Sequence, residues 1–236
     1  MPELSLCVSC PNRGRGICGA VLEGASEGAQ LPSQWQRYQV IRAGRPIVTR
    51  NDPVEEVFIL CEGWAFRYLQ LPDGRRQILN FLLPGDVLSC TSMFQELSSF
   101  SAMALTDIQV SRFRRADIQT FSNFNSGILA AVGQTVFAEQ KHADELTATL
   151  GKRVAEERIA YLLAQLTRRI AARSVIREQR YPFPLRQQHI ADAVGLTAVH
   201  VSRVVSTFRE RGVIEISGGV LQVLDPVELE RIGAPH

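Results

Sequence analysis

LRQQHIADAVGLTAVHVSRVVSTFRERGVI, residues Leu185 to Ile214, decides how the last third of this chain folds. Its apolar residues recur at helical spacing on either side of one glycine. The spacing predicts a first helix from Arg186 to Val194, with Ile190 and Val194 facing inward. Gly195 supplies a tight turn, Leu196 plugs the angle, and Thr197 is a good N-cap for a second helix. In that helix Val201, Val204, Val205 and Phe208 repeat on one face, which leaves Val199, His200, Ser202, Arg203 and Arg209 to project elsewhere. Val213 to Val223 then reads as two short strands around a Gly218-Gly219 turn. Two helices at a glycine turn followed by a hairpin make a winged helix-turn-helix.

That pattern has a chemistry. Arg203 can donate both arms of its guanidinium to guanine O6 and N7 in a major groove. His200 can meet a base edge or a phosphate, and Ser202 can bond either. Gln187, Thr197, Val199 and Arg209 complete the expected contact set with double-stranded DNA. The bland reading is a helix-turn-helix that only packs or meets protein. Gly195-Leu196-Thr197 at the turn, Ser202-Arg203 on the second helix, the wing and the charge distribution converge against it: residues 1–150 carry 13 Lys+Arg against 15 Asp+Glu, whereas residues 151–236 carry 13 against 9. A basic segment beside a mildly acidic remainder is the asymmetry expected when one domain faces phosphates.

Working outward, 236 residues with 45% hydrophobic content suffice for about two domains with cores of their own. No apolar run approaches the roughly 20 residues of a membrane span, and the N-terminus has no secretory pattern, so a cytoplasmic protein with no membrane partner is expected. Residues 1–30 are Gly- and Cys-rich and read as a loop-rich arm. From about Tyr38 to Phe113 short strands alternate with turn signals: Val57–Leu60, then Ala65–Leu71, the Asp73-Gly74 hairpin, Gln77–Leu82, and Pro84-Gly85-Asp86 before Val87-Leu88. Such spacing argues for a sandwich or barrel. From Gly127 the period changes, and Ile128, Val132, Val136, Ala143, Leu146 and Leu150 form one helical seam. The seam is suited to a dimerising coiled coil, or to packing on the chain's own barrel. Gly151 breaks the pattern, and a new amphipathic helix runs from Val154 to Ala172. The expected division is an arm over 1–30, a sensor domain over 31–123, a dimerisation helix over 124–150 and a DNA-binding domain over 151–236. A cupin-like metalloenzyme is excluded, because His142, His189, His200 and His236 all fall outside the strand region, and no nucleophile–base pair is present.

Gly63-Trp64, Leu83-Pro84-Gly85-Asp86, the seam helix, Lys152–Arg158 and Gly195-Leu196-Thr197 with Val201-Ser202-Arg203 resemble the cAMP receptor protein/FNR family of regulators over nearly the whole chain. The resemblance implies an α+β fold: a jelly-roll, cyclic-nucleotide-binding-like sensor domain, a dimerisation helix and a winged helix-turn-helix. It also implies a homodimer on a near-palindromic operator, with RNA polymerase as a further partner. Two departures stand out. Many FNR-like members carry a Glu where this chain has Val199, so the half-site should differ there. The Arg-Ser and Glu positions that cyclic-nucleotide binders use look like Phe100-Ser101 and Cys90 here, which makes cAMP an unsuitable effector.

Cys7-x2-Cys10-x7-Cys18 resembles the N-terminal cluster of FNR-type oxygen sensors, whose thiolates hold an oxygen-labile [4Fe–4S] group. The family's fourth cysteine aligns with Ser111. Cys61, on a strand expected to pair with the last jelly-roll strand, is the favoured substitute, and Cys90 is the other candidate; an inert buried thiol is the bland reading for both. Two other readings stay open for the arm: a different metal or thiol redox site, or no sensory role, with a small molecule sensed in the barrel instead.

Overall fold

The computed structural model describes residues 17–20, 37–122 and 126–234. They divide into two compact units, the described residues up to 69 with those of 80–142, and residues 70–79 with the described residues from 143 on.

The first unit is a β-sandwich. One sheet has the order β1-β7-β3, from β1 (Arg37–Ile41), β7 (Ile108–Arg114) and β3 (Glu56–Glu62), all antiparallel. The other has the order β2-β6-β4-β5, from β2 (Pro46–Val48), β6 (Ser101–Ala104), β4 (Ala65–Gln70) and β5 (Arg76–Leu82). Alternation in the sequence sets the inward face: Val57 and Ile59 on β3 and Phe113 on β7 are buried in one core cluster with Val87 and Met93. The expected strand at Val87-Leu88 shrinks to a single bridge between Val87 and Ile59. The turn before it is tied to β3, since Gly85 N–H donates to the Leu60 carbonyl and Leu60 N–H to the Asp86 carbonyl. A short 3-10 helix, Cys90–Met93, follows.

After α1 (Arg115–Ser122) comes the long seam helix α2 (Ser126–Lys152). It runs straight through Gly151, contrary to the expected break there. A helical glycine costs only about 1 kcal/mol, too little to stop a helix. The break falls instead at Arg153 and Val154, where Glu157 reaches back to accept the Val154 N–H at 3.0 Å and so caps α3 (Ala155–Ala171). The division between the two units falls within this helix, after His142.

The second unit packs α3 against α4 (Gln187–Val194), α5 (Ala198–Glu210) and α6 (Pro226–Gly233). Ile159, Leu163 and Leu166 of α3, Phe208 of α5 and Leu229 of α6 are almost wholly enclosed. A three-stranded sheet, β8-β10-β9, completes it, from β8 (Arg180–Pro182), β9 (Ile214–Ser217) and β10 (Val220–Val223). The sequence reading contained the β9–β10 wing but neither β8 nor α6. Among the described residues no helix is long and apolar enough to cross a membrane.

Candidate nucleic-acid interface

The two helices of the interface form as their sequence dictates. α4 ends at Gly195, whose φ of 66° lies in the left-handed region where a side chain is strained. α5 begins at Thr197, whose hydroxyl accepts the His200 N–H at 3.2 Å. Val201, Val204 and Phe208 are buried, and that burial fixes which way the rest of the helix points. Val199, His200, Arg203 and Arg209 are exposed and Ser202 is half-buried, so the residues expected to read DNA share the outward side. Gln187 is exposed on the first turn of α4. Thr197 is exposed too, but its oxygen already serves as the cap. The wing turn follows the sequence: Gly218 and Gly219 both have positive φ, 55° and 75°, which matches the twist of a two-residue hairpin.

Ion pairing decides which cations remain for phosphate. Arg211 is tied to Glu156 at 3.3 Å and to Glu228 at 2.6 Å, and Arg231 also holds Glu228. The hydrogen bonds from Arg231 and then Arg211 pull the Glu228 carboxyl down to about 2. Arg203 and Arg209 have no side-chain partner among the described residues. Arg186, at the start of α4, is likewise exposed and unpaired. The sequence reading did not single it out.

Comparison with known proteins agrees with this geometry. The cyclic nucleotide-binding domain family matches residues 38–123, and the Crp-like helix-turn-helix domain family matches residues 157–232. The nitrogen fixation regulation protein FixK of Bradyrhizobium diazoefficiens is 30% identical over 234 residues, covering 99% of this chain and 96% of that protein. The chain belongs to the CRP/FNR family of transcription regulators. The transcriptional activator protein FnrL of Cereibacter sphaeroides is 31% identical over 219 residues, 91% of this chain and 86% of its own. The solved structure of FixK2 from Bradyrhizobium japonicum superposes with a TM-score of 0.78 at 26% identity, over 85% of this chain and 98% of that one. This regulator therefore binds DNA through its helix-turn-helix.

The seam residues separate into two sets. Ile128 and Val132 are buried in the regulator's own sandwich core, which corrects their assignment to a dimer contact. Helical geometry turns them toward the sandwich and their neighbours away. Leu129, Val136 and Phe137 are exposed, as is Ala143, while Leu146 and Leu150 are half-buried.

Cys7 and Cys10 lie outside the described residues. Cys18 stands in a helical turn over residues 17–20 and packs, half-buried, against the core cluster of Val57, Ile59 and Phe113. The pairing of the two strands that the resemblance implied is present, and in it Ser111 stands opposite Ile59 and not Cys61. Cys61 lies two residues further along β3, about 7 Å away, beside a register shift between Leu60 and Glu62. Its thiol donates to the Ile59 carbonyl at 3.7 Å. Cys90 is fully buried, and its thiol is pushed up to about 12 by that burial and then by the Glu139 charge. It belongs to the same core cluster as Ile17, against which Cys18 packs. Among the described residues no three His, Cys, Asp or Glu side chains converge as a metal site.

One cation near the barrel interior was not foreseen. Arg67 of β4 lies over the Phe100 ring, 5.3 Å from its centroid, and pairs with Glu139 of α2 at 3.3 Å. Glu139 also accepts the Cys90 N–H at 3.3 Å. Phe100 and Cys90 are thus gathered around an internal ion pair. No spacing rule connects residue 67 to residue 139, so local pattern could not reveal it.

Proposed function

We propose that this regulator reads a near-palindromic duplex as a homodimer, with one α5 in the major groove of each half-site, and that it responds to oxygen or redox state through its N-terminal cysteines. The observation that carries the DNA reading is the exposed face of α5, where Arg203 stands unpaired beside Val199, His200 and Ser202. Arg203 reads guanine, Val199 meets a thymine methyl or an equivalent apolar edge, and Arg209 and Arg186 bind phosphate. The exposed edge of α2, Leu129, Val136 and Phe137, meets its twofold copy. RNA polymerase is the protein partner on the bound operator.

The residues that would hold a [4Fe–4S] cluster are Cys7, Cys10 and Cys18, with Cys61 as the fourth. Such a cluster supplies oxygen-labile iron–sulfur chemistry. Support comes from Cys18, packed against the core cluster to which Val57 and Ile59, on the same strand as Cys61, contribute. Soft thiolates on a Gly-rich arm suit the metal, and a change in the arm would be felt where Ile17 enters the core. cAMP is not the effector: Arg67, the cation near Phe100, is already engaged by Glu139, leaving no net positive charge for a phosphate.

Anaerobic purification with iron and sulfide analysis, and duplex binding before and after air, tests the sensory reading. Bound iron and sulfide, lost in air together with a change in DNA affinity, are expected. Iron-free protein with air-insensitive binding would overturn it. Cys61→Ser should remove the cluster and Cys90→Ser should not.

A further inference from the structure

The hairpin between β4 and β5 carries a pair of residues that DNA recognition by α5 does not explain. The last carbonyls of a helix have no partner within it and must find one elsewhere or face water. In α4 the Ala191 carbonyl is satisfied by the backbone of Leu196 at 3.1 Å, beyond the Gly195 turn. The last two, those of Ala193 and Val194, are taken by long side chains from distant segments. Gln77, just past the hairpin turn, donates to the Ala193 carbonyl at 2.9 Å, and Arg158 of α3 donates to the Val194 carbonyl at 3.2 Å. Beside them Arg76 forms an ion pair with Asp192, whose other oxygen accepts from Gln188 at 2.6 Å. The Asp192 side chain is 10% exposed and that of Arg76 26%, so the pair is shielded from most of the solvent screening that weakens surface bridges. Two adjacent hairpin residues therefore grip the residues immediately before the Gly195 turn. That turn sets the angle at which α5 leaves α4.

We propose that Arg76 and Gln77 are positioning residues for DNA reading: they clasp the end of α4 and so hold α5 at the angle that lets Arg203 and its neighbours reach base edges. Neither side chain needs to touch DNA. The clasp is chemically selective, since a carboxylate at 192 demands a cation at 76, and the Ala193 carbonyl demands a donor at 77. Arg75, the adjacent cation, is instead engaged with Asp73 in the turn itself and is largely exposed. It provides a control of equal charge with no part in the grip.

The proposal rests on the reading of α5 as the DNA-contacting helix, and the experiment separates the two. The full-length protein, in the form purified for the sensory test, is titrated against the duplex it enriches from a random pool. Arg76→Glu should weaken binding about tenfold or more, and Gln77→Ala should weaken it severalfold. Arg75→Glu should stay within about twofold. The exchange Arg76→Glu with Asp192→Arg should restore affinity to near the unsubstituted level, which general loss of fold or of positive charge would not permit. Unfolding curves show whether each variant is folded, and the rescue comparison uses only the folded ones. Arg76→Glu binding as tightly as Arg75→Glu, or an exchanged double variant as weak as the single, overturns the clasp. Arg203→Ala reports independently on α5: unchanged base preference in that variant sinks the reading of the helix while leaving the exchange result to judge the clasp.

Discussion

Arg67 on β4 and Glu139 on α2 face each other at 3.3 Å with side chains only 11% and 20% exposed, and the Arg67 Nε is buried without a partner. A shielded pair of this kind is costly to break, because the charge left behind has neither water nor counter-ion. Glu139→Gln should therefore lower unfolding free energy by about 3 kcal/mol in urea titration. Replacing both, Arg67→Met with Glu139→Leu, should recover most of the loss. Equal destabilisation by the single and the double change would show that Glu139 acts through its hydrogen bond to Cys90 and not through the pair.

The two faces of α2 predict opposite phenotypes. Ile128 is 1% exposed within the sandwich core, so Ile128→Ala should cost about 2–5 kcal/mol through the cavity it leaves. Phe137 is 76% exposed, and Leu129 and Val136 lie on the same open edge. A charge there costs the folded chain little but places like charges against each other across a twofold axis. Val136→Glu with Phe137→Glu should leave the circular dichroism spectrum intact and halve the sedimenting mass. Sedimentation unchanged by that pair of substitutions would locate the dimer contact elsewhere.

What could be read in the sequence was what is local. The positions of Val201, Val204 and Phe208 state the inward face of α5 outright, and Gly195 and the Gly218-Gly219 pair each mark a turn that only their conformational freedom allows. The β3–β7 pairing that sets Ser111 against Ile59 was also legible, through the resemblance. The three residues of β8 have no period of their own and are a strand only because β10 lies beside them. For α6 the start signals were present: Asp225 caps it by accepting the Glu228 N–H at 2.9 Å, and Pro226 opens its first turn. They went unread because the wing had already accounted for the C-terminus. Which side of the α2 seam faces the core, and which groups seize the end of α4, depended on residues far away in sequence.

Base preference follows from the outward side of α5. Arg203→Ala should cost roughly 1–3 kcal/mol in binding and relax selectivity at a single base of each half-site. Val199→Glu should create a preference for cytosine at one position, since a carboxylate there accepts from the cytosine amino group. Selection from a random duplex pool with each variant checks both. A uniform loss across all sequences for Arg203→Ala would mean that the guanidinium meets only phosphate.

His189 makes α4 sensitive to pH. Its Nδ1 accepts the Arg186 N–H at 3.0 Å, which caps the helix and requires a neutral ring on that nitrogen. Burial, reinforced by the charges of Arg76 and Arg186 and opposed by Asp192, holds its pKa below the ordinary 6.5. The unfolded chain therefore takes up a proton at a higher pH than the folded one does. The stabilising contribution is complete above pH 6.5, declines as pH falls below it, and is exhausted once the depressed folded value has been passed. His189→Gln keeps an acceptor at the same capping position without a titrating group. Urea unfolding measured from pH 8 to pH 5 should show a fall in stability for the native chain that is reduced in His189→Gln. Superimposable profiles would mean that another group carries the acid sensitivity. Since Arg76 is also the cation that grips Asp192, protonating His189 places a second positive charge beside that pair. DNA affinity should weaken as pH falls through the depressed folded value in the native chain, and less in His189→Gln.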